Sequence, residues 1–179
     1  MTDIHSLSAA EARDAIPALG ALLHAAVHAG ASVNFVLPFE TAQAEAWWRG
    51  AALPGIESGA TTLFVARGGA GEGGEILGCV LLMRAPQPNQ PHRAEAGKLL
   101  VHPSARRRGL ARALMAALEG RAAAEGRTLI TLDTRTGDMA EPLYSSMGYE
   151  TVGVIPGFCV DPIHPGKLDG TTIMYKRLL

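Results

Sequence analysis

With two cysteines in 179 residues, Cys79 and Cys159, the chain has too few for a disulfide framework. Their separation also fits neither a Cys-x-x-Cys pair nor a metal-ligand spacing. A reducing compartment, and so a cytoplasmic location, is expected. An excess of charge of one sign is lacking too: 16 Lys plus Arg stand against 17 Asp plus Glu, a formal net charge of -1. No global field therefore favours nucleic acid or an anionic membrane surface, and any polyanion must be met by a local basic cluster. The first residues carry Asp3, Glu11 and Asp14 where a secretory leader needs a basic start and an unbroken apolar stretch. The most apolar helical segment contains His24 and His28, so neither a targeting segment nor a membrane span is expected. Internal repeats and low-complexity tracts are absent from the sequence.

What is present fits one domain over residues 1–179, long enough to bury roughly two thirds of its unfolded surface. Ile16, Leu19, Leu22, Leu23, Ala26 and Val27 recur at helical spacing between Ser8, a candidate cap, and about Ala29, with Pro17 as a break. A second helix is expected from Thr41 to Ala51, where at most one of the adjacent Trp47 and Trp48 can face the core squarely. Thr61–Ala66 and Ile76–Met83 read as a hairpin around the glycine-rich turn 68–74. Prolines 86, 88 and 91 forbid regular structure until Arg93, and Ala94 to Val101 is extended. Leu110, Leu114, Ala117 and Leu118 form the stripe of a helix ended by Gly126. Strands are then expected at Leu129–Thr134, Tyr149–Val154 and Thr171–Arg177, a short helix at Glu141–Met147, and a loop through Pro156, Pro162 and Pro165. The order predicts an α/β (α+β) fold.

The stretch from Val101 to Ala111 joins a strand to a helix through a basic turn with one glycine. Unpaired N–H groups and the positive end of the dipole make a helix start suited to a pyrophosphate, and glycine allows close approach. Arg106, Arg107 and Arg108 add charge that no physiological pH removes. Three arginines in a row are also what a solvated surface carries, so the turn alone is suggestive. This turn lacks the Gly-x-Gly-x-x-Gly pattern, and no early strand-turn-helix is expected, which argues against a Rossmann-like binder.

The order Arg106-x-x-Gly109-x-Ala111 resembles the Arg/Gln-x-x-Gly-x-Gly/Ala signature of the GNAT superfamily of N-acetyltransferases. Downstream, Leu143-Tyr144-x-x-x-Gly148-Tyr149 resembles the Leu-Tyr-x-x-x-Gly-Phe element of that family, whose tyrosine approaches the sulfur of coenzyme A. The two matches span about the last half of the chain. The resemblance implies a mixed, V-splayed sheet flanked by helices, with acetyl-CoA wedged where two parallel strands part. Leu99, Leu100 and Val101 would then pair their backbone with the pantetheine arm. Arg106, Arg107, Arg108, Gly109, Leu110, Ala111 and Arg112 would surround the pyrophosphate. One departure is Gly137, where the family often has asparagine; Thr136 or Asp138 would have to replace its hydrogen bond. The runs Pro88–Glu95, Lys98–Pro103 and Leu132-Asp133-Thr134, with Ala31-Ser32-Val33 and the aromatic residue after it, are similar to the tabtoxin-resistance acetyltransferases. That likeness implies a small β-lactam amino acid as acceptor and Asn34, Phe35, His92 and Asp133 as its contacts.

Acetyl transfer to an amine needs a deprotonated nucleophile and a proton or hydrogen bond for the departing thiolate. Tyr144 is the candidate donor to sulfur. Asp133, a lone carboxylate at the end of an apolar strand, and Glu95 are alternative bases. By period two, Glu95 shares a face with Gly97, Leu99 and Val101. His24 and His28 stand at i, i+4, a spacing that can hold a metal, but no third ligand completes a set, and no metal is expected. Cys79 reads as core and Cys159 has no evident base partner. The expected enzyme acetylates a primary amine of a small molecule. Its rivals are a protein N-terminal or lysine acetyltransferase and a catalytically silent acyl-CoA-binding sensor.

Overall fold

Ser8 opens the first helix in the computed structural model, which describes residues 3–69 and 74–178. Its hydroxyl accepts from the Glu11 amide at 3.3 Å while the Glu11 carboxylate accepts from the Ser8 amide at 2.7 Å, a reciprocal cap that satisfies two orphan donors. Helix α1 (Ala9–Asp14) gives way at Ala15 to α2 (Ile16–His28). Pro17 lies in the first turn of α2, where a missing N–H costs nothing. The next helix runs past its expected end at Ala51: α3 (Thr41–Trp47) widens into a π-helical turn at Trp48–Ala52 and continues as α4 (Leu53–Glu57). Pro54 does not stop the chain there because it too occupies a first helical turn. Trp48 faces the core, with its indole N–H donating to the Leu19 carbonyl at 3.0 Å.

The strands are β1 (Asp3–Ser6), β2 (Thr61–Gly68), β3 (Glu75–Arg84), β4 (Arg93–Val101), β5 (Leu129–Arg135), β6 (Glu150–Val160) and β7 (Leu168–Arg177). They form one sheet in the order β1-β2-β3-β4-β5-β7-β6, antiparallel throughout except between β4 and β5. Helix α5 (Leu110–Ala124) makes the crossover between the two parallel strands, and α6 (Ala140–Ser146) leads into β6. The mixed α/β sheet is as expected; several bounds are not. Strand β1, four half-polar residues, carries no periodic signal and was not expected. The glycine-rich turn expected at 68–74 lies partly outside the described residues. Strand β7 begins at Leu168 rather than Thr171. Strand β6 runs through Pro156 to Val160 instead of ending at Val154. It is an edge strand, and its register against β7 slips between Ile155 and Cys159, so the proline sits in a bulge where no partner needs its N–H.

Both faces of the sheet are covered, which is why the central strands are almost uninterruptedly apolar. Leu63, Val65, Cys79, Leu81 and Leu100 pack with Leu19, Leu22, Leu23, Val27 and Trp48 under α2 and α3. Phe64, Ala66, Val80, Leu82, Ala94, Ala96, Ile130 and Leu132 pack with Leu114, Met115 and Leu118 of α5 and with Tyr144. Truncating one such leucine, for example Leu114→Ala, costs about 2–5 kcal/mol. No helix among the described residues is long and apolar enough to cross a membrane.

Candidate active site

Strands β4 and β5 pair over only three residues: Arg93 with Leu129, Ala94 with Ile130 and Glu95 with Thr131. Beyond them the two strands diverge, and the part of β4 from Ala96 to Val101 has no strand partner on that side among the described residues. A bulge accompanies the split. Against β3, Leu81 pairs with Gly97 and Cys79 with Leu100, three steps of β4 for two of β3, and Lys98 takes φ +51°. The extra residue reverses the alternation. Ala94 and Ala96 belong to the core under α5, yet so do the contacts of Leu99 and Val101, while Leu100 enters the opposite core. The expected common face of Glu95, Gly97, Leu99 and Val101 is therefore wrong: period two holds only in a strand without an inserted residue.

The basic turn follows. His102 accepts from the Ser104 amide at 3.3 Å, Pro103–Ala105 form a short 3₁₀ turn, and Arg107 and Gly109 take φ +61° and +79°. Gly109 caps α5, no side chain caps it, and a Cβ at this glycine would meet nothing within 4 Å. The amides of Leu110, Ala111 and Arg112 have no acceptor inside the helix and look outward at the positive end of a 15-residue dipole. Arg106, Arg107 and Arg112 line the cavity described below. Arg108 folds back to donate to the Ser104 carbonyl at 2.9 Å and is not part of that lining. Arg112 also donates to the Ser146 hydroxyl at 2.6 Å, which ties α5 to α6.

From this turn a continuous cavity of about 790 Å³ runs through the strand split to Ser32, Asn34 and Cys159. Leu99, Leu100, Val101, Glu95, Asp133 and Tyr144 all line it. Ile130 and Leu132 point into the core under α5, so Asp133 projects from the other face of β5. Its carboxylate accepts from the Thr171 hydroxyl at 2.9 Å. Glu95 is about half exposed and stands 3.8 Å from the Arg93 guanidinium. Tyr144 is buried and packs edge-on against Tyr149 with centroids 5.7 Å apart. Burial, and then the charges of Asp133 and Asp138, push its phenol above the ordinary tyrosine range, so at neutral pH it is a hydroxyl donor.

Other expected contacts lie elsewhere. His92 is exposed at the joined end of the split, where its carbonyl accepts from the amides of Thr128 and Leu129 at 2.9 and 3.1 Å. Phe35 stacks with Phe39 at 4.5 Å and Trp47 at 6.0 Å, behind the cavity wall, whereas Asn34, at φ +75°, is in it. Of the two neighbours of Gly137, Asp138 lines the cavity while Thr136 is bonded to Thr172 at 3.0 Å. The rings of His24 and His28 lie 4.1 Å apart, with His28 Nε2 at 2.9 Å from the Phe39 carbonyl. No group of three potential metal ligands occurs among the described residues.

Trp47 and Lys98 are among the lining residues that were not expected contacts. Trp47 forms part of the wall, and Lys98 stands over its ring with Nζ 4.8 Å from the centroid. The one signal for Lys98 was a lysine immediately before the apolar strand end Leu99–Val101.

A strand split beside a left-handed glycine cap is a specific arrangement, and residues 24–149 match the model of the acetyltransferase (GNAT) family. The chain belongs to this family. It is accordingly an N-acetyltransferase. Solved members share its fold at low identity. An N-acetyltransferase from Staphylococcus aureus Mu50 is 18% identical with a TM-score of 0.78, the match covering 100% of this chain and 99% of that one. A GCN5-related N-acetyltransferase from Kribbella flavida is 24% identical, with a TM-score of 0.74 over 99% and 98% of the two chains. The yncA protein from Salmonella typhimurium, determined with its cofactor acetyl-CoA, is 20% identical, with a TM-score of 0.74 over 100% and 95%. In this GNAT chain both matched motifs line one cavity: Gly109 at the start of α5 and Tyr144 in α6.

Proposed function

We propose that this GNAT acetyltransferase passes an acetyl group from acetyl-CoA directly to the primary amine of a small molecule in the cytoplasm. The observation that carries the reading is the unbroken cavity joining the open amides after Gly109 to Asp133 and Tyr144. Its residues fit the cosubstrate: a helix start with free N–H groups and arginines for the pyrophosphate, and an unpartnered β4 edge for the amides of the arm. Acetyl-CoA supplies an activated thioester. Asp133, or Glu95 beside it, takes the proton of the acceptor ammonium directly or through water, since an amine with pKa of about 10 is mostly protonated at neutral pH. As the carbon–nitrogen bond forms and the carbon–sulfur bond breaks, the Tyr144 hydroxyl gives its proton to the departing sulfur, and the second proton that nitrogen loses on becoming an amide restores the tyrosine through solvent. No covalent enzyme intermediate is needed.

A small acceptor is favoured over a polypeptide by what closes the far end of the cavity. The β6–β7 connection is bonded to the segment after α2: the Leu37 amide donates to the Pro162 carbonyl at 2.9 Å, and Ser32 and Cys159 lie 3.6 Å apart. Asp161 stiffens that connection by accepting from the amides of Ile163 and His164 at 2.8 and 2.9 Å and from Lys167 at 2.9 Å. The likeness to the tabtoxin-resistance enzymes makes β-lactam amino acids the first acceptors to try. Thiol release from acetyl-CoA, measured against small amines, β-lactam amino acids and peptides with free N-termini or lysines, tests the reading. Turnover with small amines alone is expected. Turnover with peptides alone would reverse it, and acetyl-CoA binding without turnover on any acceptor would favour the sensor.

A further inference from the structure

The bulge that reverses β4 also places a lysine where a lysine is costly. A non-glycine residue at φ +51° is strained, and such strain gathers at functional positions. Lys98 is partly buried and faces the cavity between Trp47 and Phe35, whose ring centroids lie 4.8 and 5.6 Å from its Nζ. Of its three N–H donors, one goes to the Val33 carbonyl at 2.9 Å. No carboxylate stands within ion-pairing distance of it among the described residues. Burial lowers its pKa to about 8, with the charge of Asp133 opposing that shift. The Asp133 charge thus reaches Lys98 across the cavity without touching it. The lining carries the Lys98 cation and the Glu95 carboxylate on β4 and the Asp133 carboxylate on β5, charges of both signs suited to a molecule with both an ammonium and an anionic group.

We propose that Lys98 is a specificity-determining residue that binds the carboxylate of an amino-acid acceptor whose amine is held at Asp133. This rests on the small-amine reading above and adds the acceptor class. The cation–π contacts leave the ammonium in place without neutralising it, and an entering carboxylate gives it a charge-assisted hydrogen bond in a site of low polarity. An acceptor lacking the carboxylate leaves that cation uncompensated, which is how polar pockets reject analogues.

The test uses matched probes at saturating acetyl-CoA: a set of L-amino acids, among them 2,4-diaminobutyrate, and the corresponding carboxamides. The native enzyme is expected to favour each acid over its amide by about 10-fold or more in kcat/KM, mostly through KM. Lys98→Met keeps the alkyl packing on Trp47 and should bring that ratio close to one, whereas Lys98→Arg should retain a preference for the acid. Thermal melting separates a fold defect from a binding one. Equal use of acids and amides by the native enzyme overturns the assignment of Lys98 alone, as does a preference that survives in Lys98→Met. If Lys98→Met melts much lower and loses acids and amides in parallel, its bond to Val33 is its whole role and the assignment is overturned. Failure of every acid and amide to release thiol overturns this proposal, and failure of the other small amines as well overturns the small-amine reading.

Discussion

Asp133 and Thr171 are joined diagonally across the β5–β7 ladder: the hydroxyl of Thr171 donates to Asp133 at 2.9 Å, although the backbone register sets Thr171 opposite Arg135. Thr171 is 2% exposed and shares the cavity lining with Asp133, so this bond fixes one carboxylate oxygen and leaves the other for the acceptor. Asp133→Asn keeps shape and hydrogen bonding but removes charge. The expected result is a loss of about 10²-fold or more in kcat/KM for the acceptor, with acetyl-CoA affinity by calorimetry near that of the native enzyme. Should Asp133→Asn keep native rates and the native pH profile, the base is Glu95, and Glu95→Gln would show the loss.

Tyr144 is predicted to assist the departing thiolate. Tyr144→Phe retains the ring packed on Tyr149 and deletes only the hydroxyl. Turnover should fall by the roughly 10²–10⁴-fold of a lost general acid, with acetyl-CoA affinity little changed. A rate within a few-fold of native would reduce Tyr144 to a core residue of α6.

Gly109 tests the pyrophosphate turn. Its φ of +79° strains any side chain, and the space around its Cβ position is open within the protein. A Cβ there meets no protein atom within 4 Å, and the position adjoins the open amides at the start of α5. Gly109→Val should therefore raise the acetyl-CoA dissociation constant by about 10-fold or more, read by calorimetry on a variant whose circular dichroism is native. Unchanged affinity in the folded variant would remove the turn from the cosubstrate site.

The parts of this site legible in the sequence are those set by local rules. The stripe of α5, the glycine at its start and the strand before it depend on residues within a few positions of one another, and the motif spacing to Tyr144 follows from them. The bulge at Lys98 depends on how β4 pairs with β3, some twenty residues earlier in the chain, and no local pattern marks it. His92 was grouped with the acceptor contacts because it lies in a run that resembles a known family. A strand of nine residues nonetheless spans about 30 Å, and His92 precedes the joined end while the split opens toward Val101. Trp47 could be assigned to neither core nor ligand by helical phase; tertiary packing buries Trp48 and leaves Trp47 in the wall.

The last prediction concerns what holds the far end of α5, and with it the orientation of the helix whose start faces the cavity. Glu125, the residue that ends α5, accepts from Arg84 of β3 and from Arg121, and Arg127 stands 3.7 Å away. Arg84 also donates to Thr62 of β2 at 2.9 Å, so one carboxylate fastens the helix to two strands. Burial by itself raises the Glu125 pKa, but the hydrogen bonds and charges of Arg84 and Arg121 outweigh it and hold the carboxyl below its ordinary 4.5. A depressed folded pKa means that the unfolded chain binds the proton more tightly. The contribution to stability is therefore complete above the unfolded value and is lost as pH falls through the folded one. Glu125 and Arg84 are 21% and 15% exposed, which places the pair beyond the near-zero worth of surface ion pairs. Removing the charge with Glu125→Gln should cost about 1–3 kcal/mol at pH 7 and lower Tm by roughly 2–12 °C in a chain of this size. Urea melts at pH 7 and at successively lower pH should show the gap between native and variant protein narrowing below pH 4.5. A gap that is absent at pH 7, or constant with pH, would mean that the apolar stripe of α5 alone sets the helix.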